Sequence, residues 1–334
     1  MKDILDYSLK AHNTFGIDAR CHRFLEFETE AEAIDVARIL RESECPYIII
    51  GGGSNLLLTR DYEGIVVRSA IRGYAFEDGG RMVCGSGETF DDMVAASIEA
   101  GRYGLENLSL IPGDVGASAV QNIGAYGVEV KDFVASVWAV EIATGKVCVF
   151  DNKACEYGYR QSRFKNDWKN RFLITRVAYA LSPTFVAHLD YGNVRAELER
   201  QGIVEPTARQ LRQTIIDIRN AKLPDPKVTG NAGSFFMNPI VGRDKYEQLA
   251  AEYPEMPHYY INADHEKIPA GWMIDQCGWK GRAMGRAAVH SKQALVLVNL
   301  GGATGREIVT LCEAIRQDVR QKFGVDIYPE VNIV

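Results

Sequence analysis

Three isoleucines run directly into three glycines: Ile48-Ile49-Ile50-Gly51-Gly52-Gly53, followed by Ser54 and Asn55. An apolar β run that stops on three glycines has to turn tightly, and no side chain shields the turn. Its backbone N–H groups can converge on an anion, with Ser54 and Asn55 adding donors. A second small-residue stretch runs from Ile111 to Gly127, Ile-Pro-Gly-Asp-Val-Gly-Ala-Ser-Ala-Val-Gln-Asn-Ile-Gly-Ala-Tyr-Gly. Its small residues at 113 and 116–119 predict a helix whose start a phosphate group can approach closely. Alone, each segment reads more readily as a surface turn or a closely packed small-residue helix. Together they count for more, because the usual phosphate grips are missing. Gly85-Ser86-Gly87 does not complete G-x-G-x-x-G, since position 90 is Phe. G-x-x-x-x-G-K-[ST], H-E-x-x-H and G-x-S-x-G do not occur either.

Around these segments, short apolar runs predict strands at 47–50, 64–68, 82–86, 133–142, 146–150 and 172–181, with Thr144-Gly145 as a hairpin turn. Thr29 and Glu32 form a capping box ahead of Ala33, Ile34, Ala37 and Leu40 at helical spacing. A helix over 90–100 stops at Gly101, and Thr207 with Gln210 opens another carrying Leu211, Ile215 and Ile218. Pro224 and Pro226 end that helix and mark a domain boundary. Beyond it the pattern predicts a helix over 270–277, strands over 286–289 and 295–298, and a final helix. That last helix opens on a Thr304/Glu307 box, carries Ile308, Leu311, Ile315, Val319 and Phe323, and stops at Gly324. The reading is α+β.

A chain of 334 residues exceeds one ordinary core, which points to two or three domains. A net charge of -6 argues against a nucleic-acid surface but leaves room for a local basic pocket. The first 20 residues lack the apolar run of a secretory signal, and no apolar stretch approaches the roughly 20 residues that span a bilayer, so membrane insertion is not expected. Cysteines at 21, 45, 84, 148, 155, 277 and 312 form no C-x-x-C pair. Their odd number and scatter fit reduced thiols in a cytoplasm, with no metal site expected.

Many short motifs now fall in one order along the chain. Asn13-Thr14-Phe15-Gly16, the Gly51–Asn55 loop, the Ile111–Gly127 run, Tyr157-Gly158-Tyr159-Arg160 and Lys222-Leu223-Pro224-Asp225-Pro226-Lys227 are followed by Gly230-Asn231-Ala232-Gly233-Ser234-Phe235-Phe236. Ala270–Gly278, His290-Ser291-Lys292-Gln293-Ala294 and Pro329-Glu330-Val331 complete the series. In these the chain resembles the UDP-N-acetylenolpyruvoylglucosamine reductase (MurB) family over essentially its whole length. The resemblance implies an FAD-binding domain of the vanillyl-alcohol-oxidase (PCMH) type in two lobes, plus a separate α+β substrate-binding domain. The expected limits are 1–220 for the first (lobes about 1–70 and 71–220), 221–323 for the second, and 324–334 for a segment returning to the flavin. The stretch 188–198 with Tyr191 looks like the extra tyrosine loop of one branch. Met237 departs from that branch, which often carries a basic residue there.

The implied activity is reduction of UDP-N-acetylglucosamine enolpyruvate to UDP-N-acetylmuramate by NADPH through FAD, in peptidoglycan precursor synthesis. Small molecules are the partners and a monomer is the expected state. FAD contacts are expected from Ile49, Gly51, Gly52, Gly53, Ser54, Asn55, Pro112, Gly113, Gly116, Ala117, Ser118, Gln121, Asn122, Gly124, Ala125, Tyr126 and Gly127. The resemblance assigns the nucleotide sugar to Tyr159, Tyr191, Arg219, Lys222, Asn238 and Gln293. It gives Arg160, Ser234 and Glu330 the catalytic roles. An enol ether accepts hydride only where its carboxylate meets fixed positive charge and its neighbouring carbon receives a proton. Arg160 suits the first task through its planar fork, though by spacing alone it reads as a surface arginine. Ser234 is the implied proton donor, and a turn or helix cap is its other reading. Glu330 needs a proton or a bridging donor to share the carboxylate, and otherwise reads as a solvated acid. Two rivals remain: an alcohol-oxidising flavoprotein of the same fold, which needs no Ser234/Glu330 pair, and a binding protein without turnover.

Overall fold

The computed structural model describes residues 1–334. Its backbone divides into two compact units. The first comprises residues 1–7, 21–52 and 62–221, and the second 8–20, 53–61 and 222–334.

The first unit starts from a four-stranded sheet in the order Lys2–Ser8, Arg20–Phe27, Tyr62–Ser69, Tyr47–Ile50. Tyr62–Ser69 runs parallel to the strands on both sides. Central parallel strands are covered on both faces, so they read as continuous apolar runs; Ile65, Val66 and Val67 are all buried. Helix Glu30–Glu42 lays Ala33, Val36, Ala37 and Leu40 against Leu25, Phe27, Ile65 and Val67. A five-stranded antiparallel sheet follows, in the order Val147–Asp151, Val134–Glu141, Phe172–Ala180, Arg81–Gly85, Tyr74–Glu77. Helix Phe90–Glu99 and the short helix Val115–Gln121 share its core, where Ser118 Oγ meets the fully buried Tyr179 hydroxyl at 2.9 Å. Helices Val194–Arg200 and Ala208–Lys222 pack Val194 and Leu198 on Leu211, Ile215 and Ile218.

The second unit carries an antiparallel sheet in the order Gly230–Ser234, Val296–Asn299, Ala287–Val289, Ala283–Met284. A smaller sheet joins Ile240–Gly242, His265–Lys267 and Tyr259–Asn262. Helix Gly305–Phe323 has both arms of the Thr304/Glu307 box, and Gly324 ends it at φ 63°. Its five-residue apolar stripe is buried, and each such side chain contributes about 1.5–3 kcal/mol. Strand Asn332–Ile333 pairs in parallel with Leu56–Leu57.

The observed division departs from linear domain limits in two segments. Residues 8–20 and 53–61 cluster with the carboxyl-terminal third, through bonds such as Asn231 N–H to the Thr14 carbonyl at 3.0 Å and Thr59 N–H to the Val334 carbonyl at 2.7 Å. Strand Lys2–Ser8 was not expected from the sequence, since it is mostly exposed and alternates weakly. No helix is long and apolar enough to cross a membrane.

Candidate active site

In the first unit the two glycine segments meet. A Cβ on Gly51 would lie 2.8 Å from Ala117 Cβ, and one on Gly52 would lie 3.0 Å from Asp114 Oδ1 and 3.5 Å from Gly113 Cα. The turn after the isoleucine run therefore rests on Gly113, Asp114 and Ala117 with no room for a side chain. Close packing against this segment demands both glycines, and a turn with no side chains over its backbone N–H groups fits close approach of a dinucleotide's phosphates. The helix here has only seven residues, so its dipole adds less than the turn's own N–H groups. Gly116 is also required by packing: a Cβ there would fall 2.9 Å from Ser86 Cβ.

The rest of the Ile111–Gly127 run is held by Asn122, at φ 47°. Its side-chain amide donates to the Gly158 carbonyl at 2.6 Å and accepts from Lys131 N–H at 3.1 Å. Arg160, at φ 57°, sends Nη2 to the Gly124 carbonyl at 2.6 Å and Nη1 to the Asn122 carbonyl at 3.4 Å. These carbonyls orient the fork without cancelling its charge. The guanidinium lies 5.3 Å from the Tyr159 ring centroid. Tyr126, at φ 48°, pairs with Arg219, whose Nε is enclosed without a partner. Burial raises the Tyr126 phenol's pKa, and Arg219 opposes the rise. Tyr191 packs beside Gly127, where a Cβ would come within 3.0 Å of Tyr191 Cβ. Asn107 ties the two tyrosine loops together, donating 2.9 Å bonds to the Tyr126 and His188 carbonyls.

In the second unit, Gly53 turns at φ 70° against the His12 carbonyl, 1.9 Å from where a Cβ would lie. Asn55 Nδ2 donates to the Glu330 carbonyl at 3.3 Å, and Glu330 N–H donates to the Phe235 carbonyl at 2.8 Å. Residues from three distant stretches thus lie side by side: Asn55, Ser234-Phe235 and Glu330. Ser234 closes its strand, exposed, after Gly233 at φ 67°, and no helix begins at it. The helix-cap reading of Ser234 is thereby removed. Asn238 Oδ1 accepts from Ala270 N–H at 3.0 Å, and Gln293 Oε1 lies 3.2 Å from where a Gly271 Cβ would be. Both amides therefore border the start of helix Ala270–Gln276. Lys222 is the exposed last residue of its helix.

Sequence reasoning missed a charged group beside the glycine turn. Arg68 Nη1 donates to Glu26 Oε2 at 2.8 Å and Nη2 to Asp114 Oδ2 at 3.5 Å, while Lys2 Nζ meets Glu26 Oε1 at 2.5 Å. The available signal was Asp114 itself, a lone acid inside a run of small residues.

A two-sheet unit with a packed glycine turn and an oriented arginine, and an α+β unit carrying Ser234 and Glu330, fit a flavin-dependent oxidoreductase, the class to which its relatives belong. Residues 22–151 match the FAD binding domain family, and 225–334 match the carboxyl-terminal domain of UDP-N-acetylenolpyruvoylglucosamine reductase. A relative of that name from Bacteroides fragilis (strain YCH46) is 53% identical over 332 residues, covering 98% of this chain and 99% of its own. Another, from Pseudomonas aeruginosa PAO1, is 48% identical over 98% of this chain and 97% of its own. The crystal structure of the Thermus caldophilus MurB reductase shares the fold, with a TM-score of 0.68 at 23% identity over 99% of this chain and 98% of that one. The chain belongs to the UDP-N-acetylenolpyruvoylglucosamine reductase family.

Proposed function

We propose that the protein reduces the enolpyruvyl group of UDP-N-acetylglucosamine enolpyruvate to the lactyl ether of UDP-N-acetylmuramate, with FAD as resident cofactor and NADPH as hydride donor. Gly51, Gly52 and Gly53 with Pro112, Gly113, Ala117 and Ser118 hold the FAD phosphates. Ile49, Ser54, Asn55, Gly116, Gln121, Asn122, Gly124, Ala125, Tyr126 and Gly127 complete the cofactor's surroundings. When bound, the flavin supplies the hydride chemistry.

The chain's own residues answer the charge and proton that this chemistry leaves on the substrate. Arg160 meets the substrate carboxylate with a fork already oriented by two carbonyls, so little reorganisation accompanies the developing charge. Ser234 delivers the proton to the carbon beside the carboxylate; a hydroxyl is a weak acid, so neighbouring donors or cations assist it. Glu330 works at the same end through a proton or a bridging donor, since a bare carboxylate repels the enolate. Tyr159, Tyr191, Arg219, Lys222, Asn238 and Gln293 take the nucleotide sugar. The observation that supports the reading is the backbone bond from Glu330 N–H to the Phe235 carbonyl, which brings the Glu330 stretch alongside the residue that follows Ser234. An alcohol-oxidising flavoprotein has no use for that pair. The proposed working form is a monomer in the cytoplasm, the location being supported by seven cysteines none of which is paired.

Stopped-flow absorbance tests the function. NADPH should bleach the flavin band, and the enolpyruvyl sugar should restore it anaerobically. Bleaching without recovery would leave a flavoprotein with another acceptor, and no bleaching would leave a binding protein.

A further inference from the structure

The charged group beside the glycine turn has no assigned part in the reaction. Two carboxylates, Glu26 and Asp114, share one guanidinium, and they share it unequally. Glu26 is 3% exposed and holds two cations, Lys2 at 2.5 Å and Arg68 at 2.8 Å. Asp114 is 7% exposed and reaches only Arg68 Nη2, at 3.5 Å, the outer limit of a hydrogen bond. Its side chain does not cap the helix that follows it. Its other oxygen points at the turn, 3.0 Å from where a Gly52 Cβ would lie. Arg68 Nε is enclosed with no partner. A buried, weakly compensated carboxylate thus stands where a phosphate-binding turn needs no negative charge.

Like charges a few ångströms apart in a partly desolvated place do not both stay ionised. An aspartate beside a pyrophosphate either repels it or takes a proton. We propose that Asp114 and Arg68 are cofactor-binding residues and that FAD binding is proton-linked: Asp114 takes up one proton from solvent as the pyrophosphate settles beside it, leaving the Arg68 charge to Glu26 and the phosphates. No bond other than O–H forms, and the charge balance is one proton bound per FAD.

The surrounding charges agree. Burial is the largest influence on Asp114 and pushes its pKa up; Arg68 and Arg72 pull it back, and Glu26 adds to the rise. Arg72 is itself engaged with Glu88 at 3.2 Å, and Lys2 is engaged by Glu26. Burial opposes ionisation of Glu26 as well, but Lys2 and Arg68 outweigh it and hold its pKa below the usual carboxylate range. The two environments push the carboxyls apart, the mark of one that stays charged and one that accepts a proton. In sign, cofactor binding raises the Asp114 pKa further, so FAD affinity is full at low pH. It is lost as pH rises through the pKa of the cofactor-bound form.

The inference rests on placing the FAD phosphates at these turns, and calorimetry on the full-length apoprotein separates the two. FAD titrated in two buffers of different ionisation enthalpy should show uptake approaching one proton, and Kd should rise by up to about tenfold per pH unit within the linked window. Asp114→Asn, which fixes the neutral state, should bind FAD at least as tightly, take up no proton and lose the pH slope. Uptake that is absent in the parent, or undiminished in Asp114→Asn, overturns the linkage; the parent measurement alone suffices if the variant does not fold. Gly51→Val tests the placement: normal FAD affinity in that variant would move the phosphates elsewhere. Lost affinity there with a pH-independent parent would sink the proton linkage alone.

Discussion

Asn122, Tyr126 and Arg160 are three of the seven non-glycine residues with positive φ, and all three are candidate site residues. Left-handed backbone at a residue with a side chain costs on the order of 1–3 kcal/mol, and it persists only where surrounding bonds hold it. Here those bonds are visible: Asn122 to Gly158, and Arg160 to Gly124. The strain therefore fixes where the guanidinium points. Arg160→Lys keeps the charge and the backbone but loses the fork, so reoxidation of reduced enzyme by the enolpyruvyl sugar should slow roughly a hundredfold. Reduction by NADPH should stay near the parent rate, and stopped-flow traces of each half-reaction read the split; near-normal reoxidation would place the substrate carboxylate elsewhere. A second residue-scale expectation concerns Glu106, buried with Oε1 unpartnered and Oε2 accepting from Gly104 N–H at 2.8 Å. Burial raises its pKa, against the pull of backbone N–H groups and His188. A carboxyl raised in the folded state contributes fully below its unfolded pKa, and the contribution is lost as pH rises through the folded pKa. The loss is at most about 1.4 kcal/mol per pH unit within that window. Glu106→Gln escapes it, so the melting temperature of the variant relative to the parent should be higher at pH 8 than at pH 5. A pH-independent difference would mean that Glu106 does not change charge on unfolding.

Elements that carry their own punctuation were legible in the sequence. The Thr304/Glu307 box, the apolar stripe and Gly324 define a helix observed over Gly305–Phe323, and Thr207 with Gln210 opens the helix ending at Lys222. Their signals lie within a few residues of the structure they specify. What could not be read was closure between distant segments: Asn13–Gly16 bonded to Gly53 and Asn231, or Glu330 beside Phe235. Those bonds join backbone groups, which every residue has, so composition holds no trace of them. The Arg68–Asp114 pair was hidden similarly, across 46 positions and two elements. Gly116 shows a third kind of gap: the sequence singled it out for phosphate approach, and its packing against Ser86 was not legible. Since a Cβ there meets Ser86, Gly116→Val has to push helix Val115–Gln121 away from the turn after strand Arg81–Gly85. The apoprotein should then melt earlier by an amount typical of overpacking, about 1–3 kcal/mol, in addition to binding FAD weakly. Unchanged apoprotein melting with lost FAD would leave the direct phosphate role as the reason for the glycine.

At the scale of the whole chain, the candidate groups sort by unit. The glycine turn and Arg160 belong to the first, while Ser234 and Glu330 belong to the second. The chemistry sorts in the same way. Flavin reduction by NADPH requires a bound, correctly placed cofactor and no proton delivered to carbon. Reoxidation by the enolpyruvyl sugar requires that proton, on the carbon beside the carboxylate. Damage to the glycine turn should therefore affect both half-reactions, whereas a change at Ser234 should affect one. Ser234 is exposed at the end of its strand, so its hydroxyl supports little structure, and the Asn231 and Gly233 backbone that shapes the turn is unaltered by substitution. Ser234→Ala should be reduced by NADPH at close to the parent rate. Its reoxidation should fall by roughly 10² to 10⁴, the range of a lost general acid. Ser234→Cys should recover part of that loss, because a thiol still carries a proton and is the stronger acid. A serine that served only the turn predicts instead a stability loss of about 1 kcal/mol with both half-reactions near normal. Recording the flavin band separately for each half-reaction distinguishes these outcomes, and equal slowing of both halves in Ser234→Ala would remove the serine from the proton path.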